Sequence, residues 1–221
     1  MPPFMKSRKL KQAVVLLSGG LDSAVVLYYA KAKGYKCHCL IFDYGQRHKK
    51  EALQARKIAK VAACAYKILK IDFPWKGSAL LDKKIKVPER IAKGVPVTYV
   101  PARNIIFLSF ALSFAETLKA RAIFIGAHSQ DYSGYPDCRP EFFAAFRGMA
   151  EVGTLKAAGV LAPLLRKNKS QIILMGQKLD VPFGLTWSCY RGGKFPCGKC
   201  DSCRYRAKGF KKAGAVDPLI K

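Results

Sequence analysis

Short, wholly apolar runs alternate along this chain with longer segments in which apolar residues recur every three or four positions. Residues 14–17, all apolar, predict a strand buried on both faces. After Ser18-Gly19-Gly20, the residues Leu21, Val25, Tyr28, Tyr29 and Ala32 fall at helical spacing, which predicts a helix over 21–33 ended by Gly34. The same reading predicts a strand at 36–42, a helix at 49–63 and a strand at 66–71 that stops before Pro74. Proline, glycine and a lysine cluster make 74–101 a mostly irregular insertion. A helix at 104–119, a strand at 122–125, a loop at 126–140, a helix at 141–154, a strand at 160–165 and a helix at 169–179 follow. From Thr186 the chain turns loop-rich and then ends in a short basic helix. Strands alternating with helices predict an α/β domain with a largely parallel sheet.

Composition narrows the classes. The chain has 221 residues, of which 50% are hydrophobic, enough for one well-buried domain. Its longest apolar stretch, 105–115, is broken by Ser109 and Ser113 and falls short of the roughly 20 residues that span a bilayer. The first eleven residues carry Lys6, Arg8, Lys9 and Lys11 without an apolar signal region behind them, so a cytoplasmic location and no membrane contact are expected. Forty Lys and Arg against fourteen Asp and Glu give a formal net charge of +26. That balance favours anionic partners, although most basic residues are scattered as on a solvated surface. Only 204–212 gathers five basic residues with Tyr205 and Phe210 and no acid, so nucleic acid is a partner to weigh but not the favoured one.

Candidate chemistry lies at two places. In Val14-Val-Leu-Leu-Ser-Gly-Gly-Leu-Asp-Ser23 a glycine pair and two serines sit at a turn from buried strand to helix. Such a turn presents free backbone N–H groups at the positive end of a helix dipole, and glycine lets a phosphate approach the chain closely. Ser18 and Ser23 add hydroxyls. Asp22 either helps hold Mg²⁺ or stabilises the helix start. The string Ser18-Gly-Gly-Leu-Asp-Ser23 resembles the SGGxDS loop of the PP-loop ATP pyrophosphatases, which grip the pyrophosphate of ATP while a substrate oxygen attacks the α-phosphorus. The resemblance implies a Rossmann-like fold and nucleotide contacts through Leu17, Ser18, Gly19, Gly20, Leu21, Asp22, Ser23, Ala24, Val25, Val26 and Leu27, with Asp43 and Lys169 added.

The second place is the tail, where Cys189, Cys197, Cys200 and Cys203 are spaced C-x7-C-x2-C-x2-C. Four thiolates at short spacing suit a closed, structural tetrahedral Zn²⁺ site. An iron–sulfur cluster is the competing reading, disfavoured because nothing else in the sequence points to redox chemistry. Cys37, Cys39, Cys64 and Cys138 read as inert, mostly buried thiols.

The tail, together with Phe42-Asp-Tyr-Gly-Gln-Arg-His48, Tyr99-Val-Pro-Ala-Arg-Asn104 and Asp131-Tyr-Ser-Gly-Tyr-Pro-Asp-Cys-Arg-Pro-Glu-Phe142, resembles the 7-cyano-7-deazaguanine synthases from about residue 14 to 210. The resemblance implies an ATP-dependent ligase that joins 7-carboxy-7-deazaguanine to ammonia and dehydrates the amide to a nitrile, in queuosine and archaeosine precursor synthesis. It also implies a homodimer. Its expected division is a basic extension at 1–11, an ATP-binding domain at 12–185 and a zinc-binding segment with a basic helix at 186–221. Catalytic roles fall to Ser18, Asp22, Ser23 and Arg103, the last through a planar fork suited to carboxylate or phosphate. Asn104 either helps bind substrate or caps its helix. Tyr44, Gln46, Arg47 and His48 are placed along the same crevice, and Tyr132, Tyr135, Asp137 and Glu141 are candidates to stack on a purine-like ring or pair with its edge. Lys169 either reaches the ATP phosphates or starts a helix in solvent. Two other classes compete: a PP-loop enzyme that adenylates a base in tRNA for sulfur or amine transfer, which the charge favours, and a noncatalytic zinc-ribbon RNA binder, which leaves the phosphate loop without a use.

Overall fold

The apolar run expected at 14–17 belongs to β1, Lys11–Leu16, which lies at the centre of the sheet in the computed structural model; residues 10–89, 94–128 and 134–220 are described. On one side of it run β2, Tyr35–Asp43, and β3, Ala65–Lys70; on the other, β4, Ala122–Phe124, and β5, Gly159–Leu161. All pairs are parallel and the order is β3-β2-β1-β4-β5. The chain therefore builds outward from β1 in one direction and then returns to its other side. In sheets of this kind a crevice opens beyond the strands' carboxyl ends where the order reverses, here between β1 and β4.

Among the described residues six α-helices cover the two faces: α1, Leu21–Ala32; α2, Lys50–Val61; α3, Arg103–Thr117; α4, Pro140–Gly153; α5, Lys169–Lys178; and α6, Asp201–Lys212. Side chains alternate across a strand, so β1 sends Ala13 and Val15 into one apolar cluster with α1, α2 and α5, and Val14 and Leu16 into another with α3 and α4. Burial on both faces explains why β1 reads as an unbroken apolar run rather than an alternating one.

Most elements fall within a residue or two of expectation. The fifth strand is shorter than the expected 160–165, because Pro163 has no N–H to offer the ladder. The insertion at 74–101 holds no helix or strand among its described residues, yet it is firmly tied down. Arg47 donates to the carbonyls of Ala79, Lys83 and Ile85 at 2.8 to 2.9 Å, so its side chain organises the insertion rather than lining the crevice. Asn104 does not cap α3. The capping position is Ala102, at a φ of 54°, and the Asn104 N–H instead donates to the Asp137 carboxylate at 3.0 Å.

No helix among the described residues is long and apolar enough to cross a membrane.

Candidate active site

The turn after β1 is drawn tight by its own hydroxyls. The Ser23 hydroxyl accepts from the Ser18 N–H at 3.2 Å and donates to the Gly20 carbonyl at 3.0 Å, while Ser18 Oγ accepts from the Gly20 N–H. Ser23 is buried and shapes the loop, whereas Ser18 stays exposed at its rim. Gly19 has a φ of +85°, and a Cβ there would fall 2.1 Å from the Glu51 carbonyl oxygen of α2. The glycine is thus required by backbone conformation and by the helix that crosses the loop. The cap of α1 is Gly20, with no side-chain hydrogen bond, so the first-turn amides are left for an anion.

Asp22 projects from that first turn to meet Lys169. The ammonium lies 2.8 and 2.9 Å from the two carboxylate oxygens, and His128 Nε2 lies 3.0 Å from the same ammonium and 3.5 Å from Asp22 Oδ2. Burial alone would raise the Asp22 carboxyl, but Lys169 and then His128 outweigh it and hold the group well below the usual carboxylate range. Lys169 opens α5 behind an Asn168–Gln171 capping box, and α6 packs on its stem, since a Cβ on Gly209 would lie 2.4 Å from Lys169 Cγ. With its residue only 9% exposed, the solvent-facing alternative for Lys169 is excluded.

The opposite wall carries Arg103, at the start of α3. Burial works against its charge, but Tyr44, Tyr135 and Asp137 beside it more than compensate and hold it protonated. Burial pushes Tyr44 up. Glu51, in the first turn of α2, is pushed up to about 7 by burial, against the pull of Arg103. Phe107 stacks on Phe42 with ring centroids 3.9 Å apart and also lines the cavity, which gives it a flat apolar side. Gln46 holds the turn beyond β2, accepting from the Tyr44 N–H at 2.8 Å, and lines the same cavity.

One cavity therefore collects Leu17, Ser18, Gly20, Leu21, Asp22 and Ser23 with Tyr44, Gln46, Arg103, Asn104 and Lys169. Other expected residues lie elsewhere. Ala24, Val25, Val26 and Leu27 are fully buried in the core and pack α1 instead of facing the cavity. Asp43 and Glu141 are not among the lining residues, and the buried Asp137 spends its carboxylate on Asn104. Tyr132 lies outside the described residues. His48 packs instead against Gly192 of the tail, where a Cβ would come within 2.3 Å of its ring, and burial pushes it down. Sequence reasoning missed Glu51, His128, Trp187, Ser188 and Tyr190, all of which line the cavity. The one local signal for His128 is its place in Gly126-Ala-His128, just past the end of β4.

The four tail cysteines converge: their sulfurs lie within 4.8 Å of one another, a donor set that fits tetrahedral Zn²⁺. Cys197 and Cys203 sulfurs are 3.9 Å apart, and Cys189 Sγ accepts from the N–H groups of Arg191 and Cys197. The cluster is walled by Ala79 and Val87 of the insertion and by Trp187. Trp187 joins tail to site: its backbone N–H donates to the Gly19 carbonyl at 2.9 Å, its indole N–H donates to the Cys189 carbonyl, and its ring lies under the Lys50 ammonium. Arg206 of α6 is buried, forked onto Asp217 at 2.7 and 2.9 Å and bonded to Thr186, so it is withdrawn from the basic stretch at 204–212.

Comparison with known proteins agrees with this picture. The family model described as queuosine biosynthesis protein QueC matches residues 12–214. A 7-cyano-7-deazaguanine synthase from Pseudomonas paraeruginosa is 53% identical over 220 residues, covering 94% of this chain and 97% of that protein. Proteins of the same name from Nostoc punctiforme and Thermoplasma acidophilum are 48% and 50% identical, each over 95% of this chain and over 99% and 91% of their own lengths. Among solved structures, an NMN synthetase from Francisella tularensis superposes with a TM-score of 0.53 at 16% identity, covering 94% of this chain and 79% of that one. A U34-tRNA thiolase from Methanococcus maripaludis gives 0.51 at 16%, over 92% and 67%. At that identity the two structures speak for the fold alone. The family match across nearly the whole chain, and relatives at about half identity, place this chain in the QueC family of 7-cyano-7-deazaguanine synthases.

Proposed function

We propose that the chain is an ATP-dependent carbon–nitrogen ligase that converts 7-carboxy-7-deazaguanine and ammonia to 7-cyano-7-deazaguanine. The observation that carries this reading is the meeting, in one cavity at the β1/β4 crevice, of a phosphate loop with Arg103 and Lys169. A carboxylate oxygen is a poor leaving group. Transfer of AMP from ATP onto it, with release of pyrophosphate, makes AMP the leaving group instead. Ammonia then displaces AMP to give the amide. A second AMP transfer to the amide oxygen, followed by loss of AMP and of both nitrogen protons, leaves the nitrile.

The loop amides and Lys169 stabilise the phosphates as pyrophosphate departs, and Arg103 steers the anionic carboxylate. For that, the Lys169 ammonium would turn from Asp22 to phosphate, and the Asp22 carboxylate would hold the Mg²⁺ that accompanies ATP, whose charge would shield the triphosphate. The stacked Phe42 and Phe107 pair offers a face to the deazapurine ring. Cys189, Cys197, Cys200 and Cys203 hold a structural Zn²⁺, and the metal's chemistry there is to fix the tail rather than to react. The ligase works in the cytoplasm as a homodimer on ammonia, with its product entering queuosine or archaeosine synthesis. Exposed Ile105 and Phe110 on α3 supply apolar surface for a second copy.

Incubation of the purified protein with Mg-ATP, ammonium and the carboxylic acid, followed by mass spectrometry, tests the reading. Nitrile with AMP and pyrophosphate is expected. Neither amide nor nitrile from zinc-loaded protein contradicts it and favours the tRNA-modifying alternative.

A further inference from the structure

We infer that Glu51 is the catalytic base that takes the proton from the attacking nitrogen when the amide forms. The inference rests on the ligase reading above. Two carboxylates line the cavity, Asp22 and Glu51. Asp22 is bonded through both oxygens to the Lys169 ammonium, which His128 Nε2 also meets at 3.0 Å, and in the ATP-loaded site the same carboxylate is committed to Mg²⁺, so Glu51 is the lining carboxylate left to accept a proton. Among the described residues no hydrogen-bond donor holds Glu51. Its own backbone carbonyl touches the phosphate loop at Gly19, so its helix turn borders the site of AMP transfer. Arg103, the group suited to the substrate carboxylate, acts on Glu51 across the cavity. Glu51 thus lines the same cavity as Arg103 and the phosphate loop, where the acyl adenylate would form.

The step balances without another reactant. The ammonia lone pair bonds to the acyl carbon and gives a tetrahedral adduct bearing N–H₃⁺. Glu51 takes one of those protons, the carbonyl re-forms, and the C–O bond to AMP breaks with its electron pair going to AMP. Amide, AMP and protonated Glu51 result, and the proton then passes to water. A base for this step must be ionised yet basic near neutral pH, which suits a carboxyl that burial holds at about 7. The charged or titratable groups acting on it are Arg103 from α3, Tyr44 beyond β2, Cys189 from the tail and Lys50 beside it, whose ammonium is turned onto Trp187.

The test measures two half-reactions in Glu51→Gln and Glu51→Asp. Acid-dependent exchange of labelled pyrophosphate into ATP, without ammonium, reports adenylation; amide formation with ammonium reports the proposed step. Glu51→Gln is expected to lose about 10²-fold or more in amide formation, at least tenfold more than in exchange. Hydroxylamine, a less basic nucleophile that sheds its proton more readily, should restore much of the loss. In the unsubstituted protein kcat for the amide should rise through about pH 7 as Glu51 ionises, and Glu51→Gln should lack that rise. Glu51→Asp keeps the rise at reduced kcat, which guards against a variant that merely fails to fold. Equal losses in both half-reactions, or a rise in KM alone, would overturn the assignment. Absence of exchange in the unsubstituted protein would overturn the ligase reading with it.

Discussion

The ammonium of Lys169 is bonded to both carboxylate oxygens of Asp22, at 2.8 and 2.9 Å, across 147 residues of sequence. That pair joins the first turn of α1 to the first turn of α5 and closes the β1 side of the cavity. Its partners are unequal in exposure, the Lys169 side chain at 11% and that of Asp22 at 25%. Removing the carboxylate strands a buried cation, so Asp22→Asn should cost about 3 kcal/mol in denaturant unfolding. The pH dependence follows from the sign of the shift. Asp22 ordinarily titrates at 3.8 and is held lower in the fold, so its contribution is complete above that value and fades as pH falls below it. The stability gap between Asp22→Asn and the parent protein should be flat from pH 5 to 8 and shrink only in acid. A gap that closes already between pH 7 and 5 would contradict the pairing.

Gly19 answers to two constraints at once, a left-handed φ and the backbone of α2. Substitution to valine is therefore more than a blocked phosphate. We expect Gly19→Val to abolish pyrophosphate release and also to lower stability by about 2 kcal/mol or more, because α2 must move away. Thermal unfolding alongside activity checks both parts.

These two sites show where sequence suffices and where it stops. The phosphate loop is legible because all its determinants lie within six residues, and the four cysteines because metal ligation demands short spacing. Glu51 has no local signal and His128 only its place just past β4: they reach the cavity because α2 crosses Gly19 and because β4 returns beside β1. Asp137 misled for the opposite reason. An acid among aromatics in a loop resembles a base-reading group, yet here it bonds the Asn104 N–H at the start of α3, a long-range partner no pattern announces. Ala24 to Leu27 follow the phosphate loop in sequence, but a helix rotates them into the core.

Zinc should be a folding component of the tail and of one wall of the site. Cys200→Ser is expected to lower bound zinc well below one per chain, since such sites contribute about 10 kcal/mol or more of binding energy to folding. Because Trp187 packs among Cys189 and Cys200, its fluorescence should shift on zinc removal by a chelator. A fully stable zinc-free variant with unchanged Trp187 emission would contradict a structural metal.

Arg206 and its neighbours on α6 should separate into two kinds of basic residue. Arg206→Met leaves Asp217 buried without its cation and should cost about 3–5 kcal/mol, whereas the exposed Lys208→Ala and Lys211→Ala should stay within about 0.5 kcal/mol. Urea unfolding of the three variants distinguishes them. Equal, small effects would mean that Arg206 is not a fastening of the tail.

The central claim is that the phosphate loop activates the substrate's own carboxylate oxygens. Isotope transfer tests it most directly: the acid carrying ¹⁸O in both carboxylate oxygens is turned over with unlabelled ATP in ordinary water, and the products are weighed. Activation by AMP transfer predicts one ¹⁸O in each of the two AMP molecules formed per nitrile, with none in pyrophosphate. Label in pyrophosphate or in water, with unlabelled AMP, would contradict it.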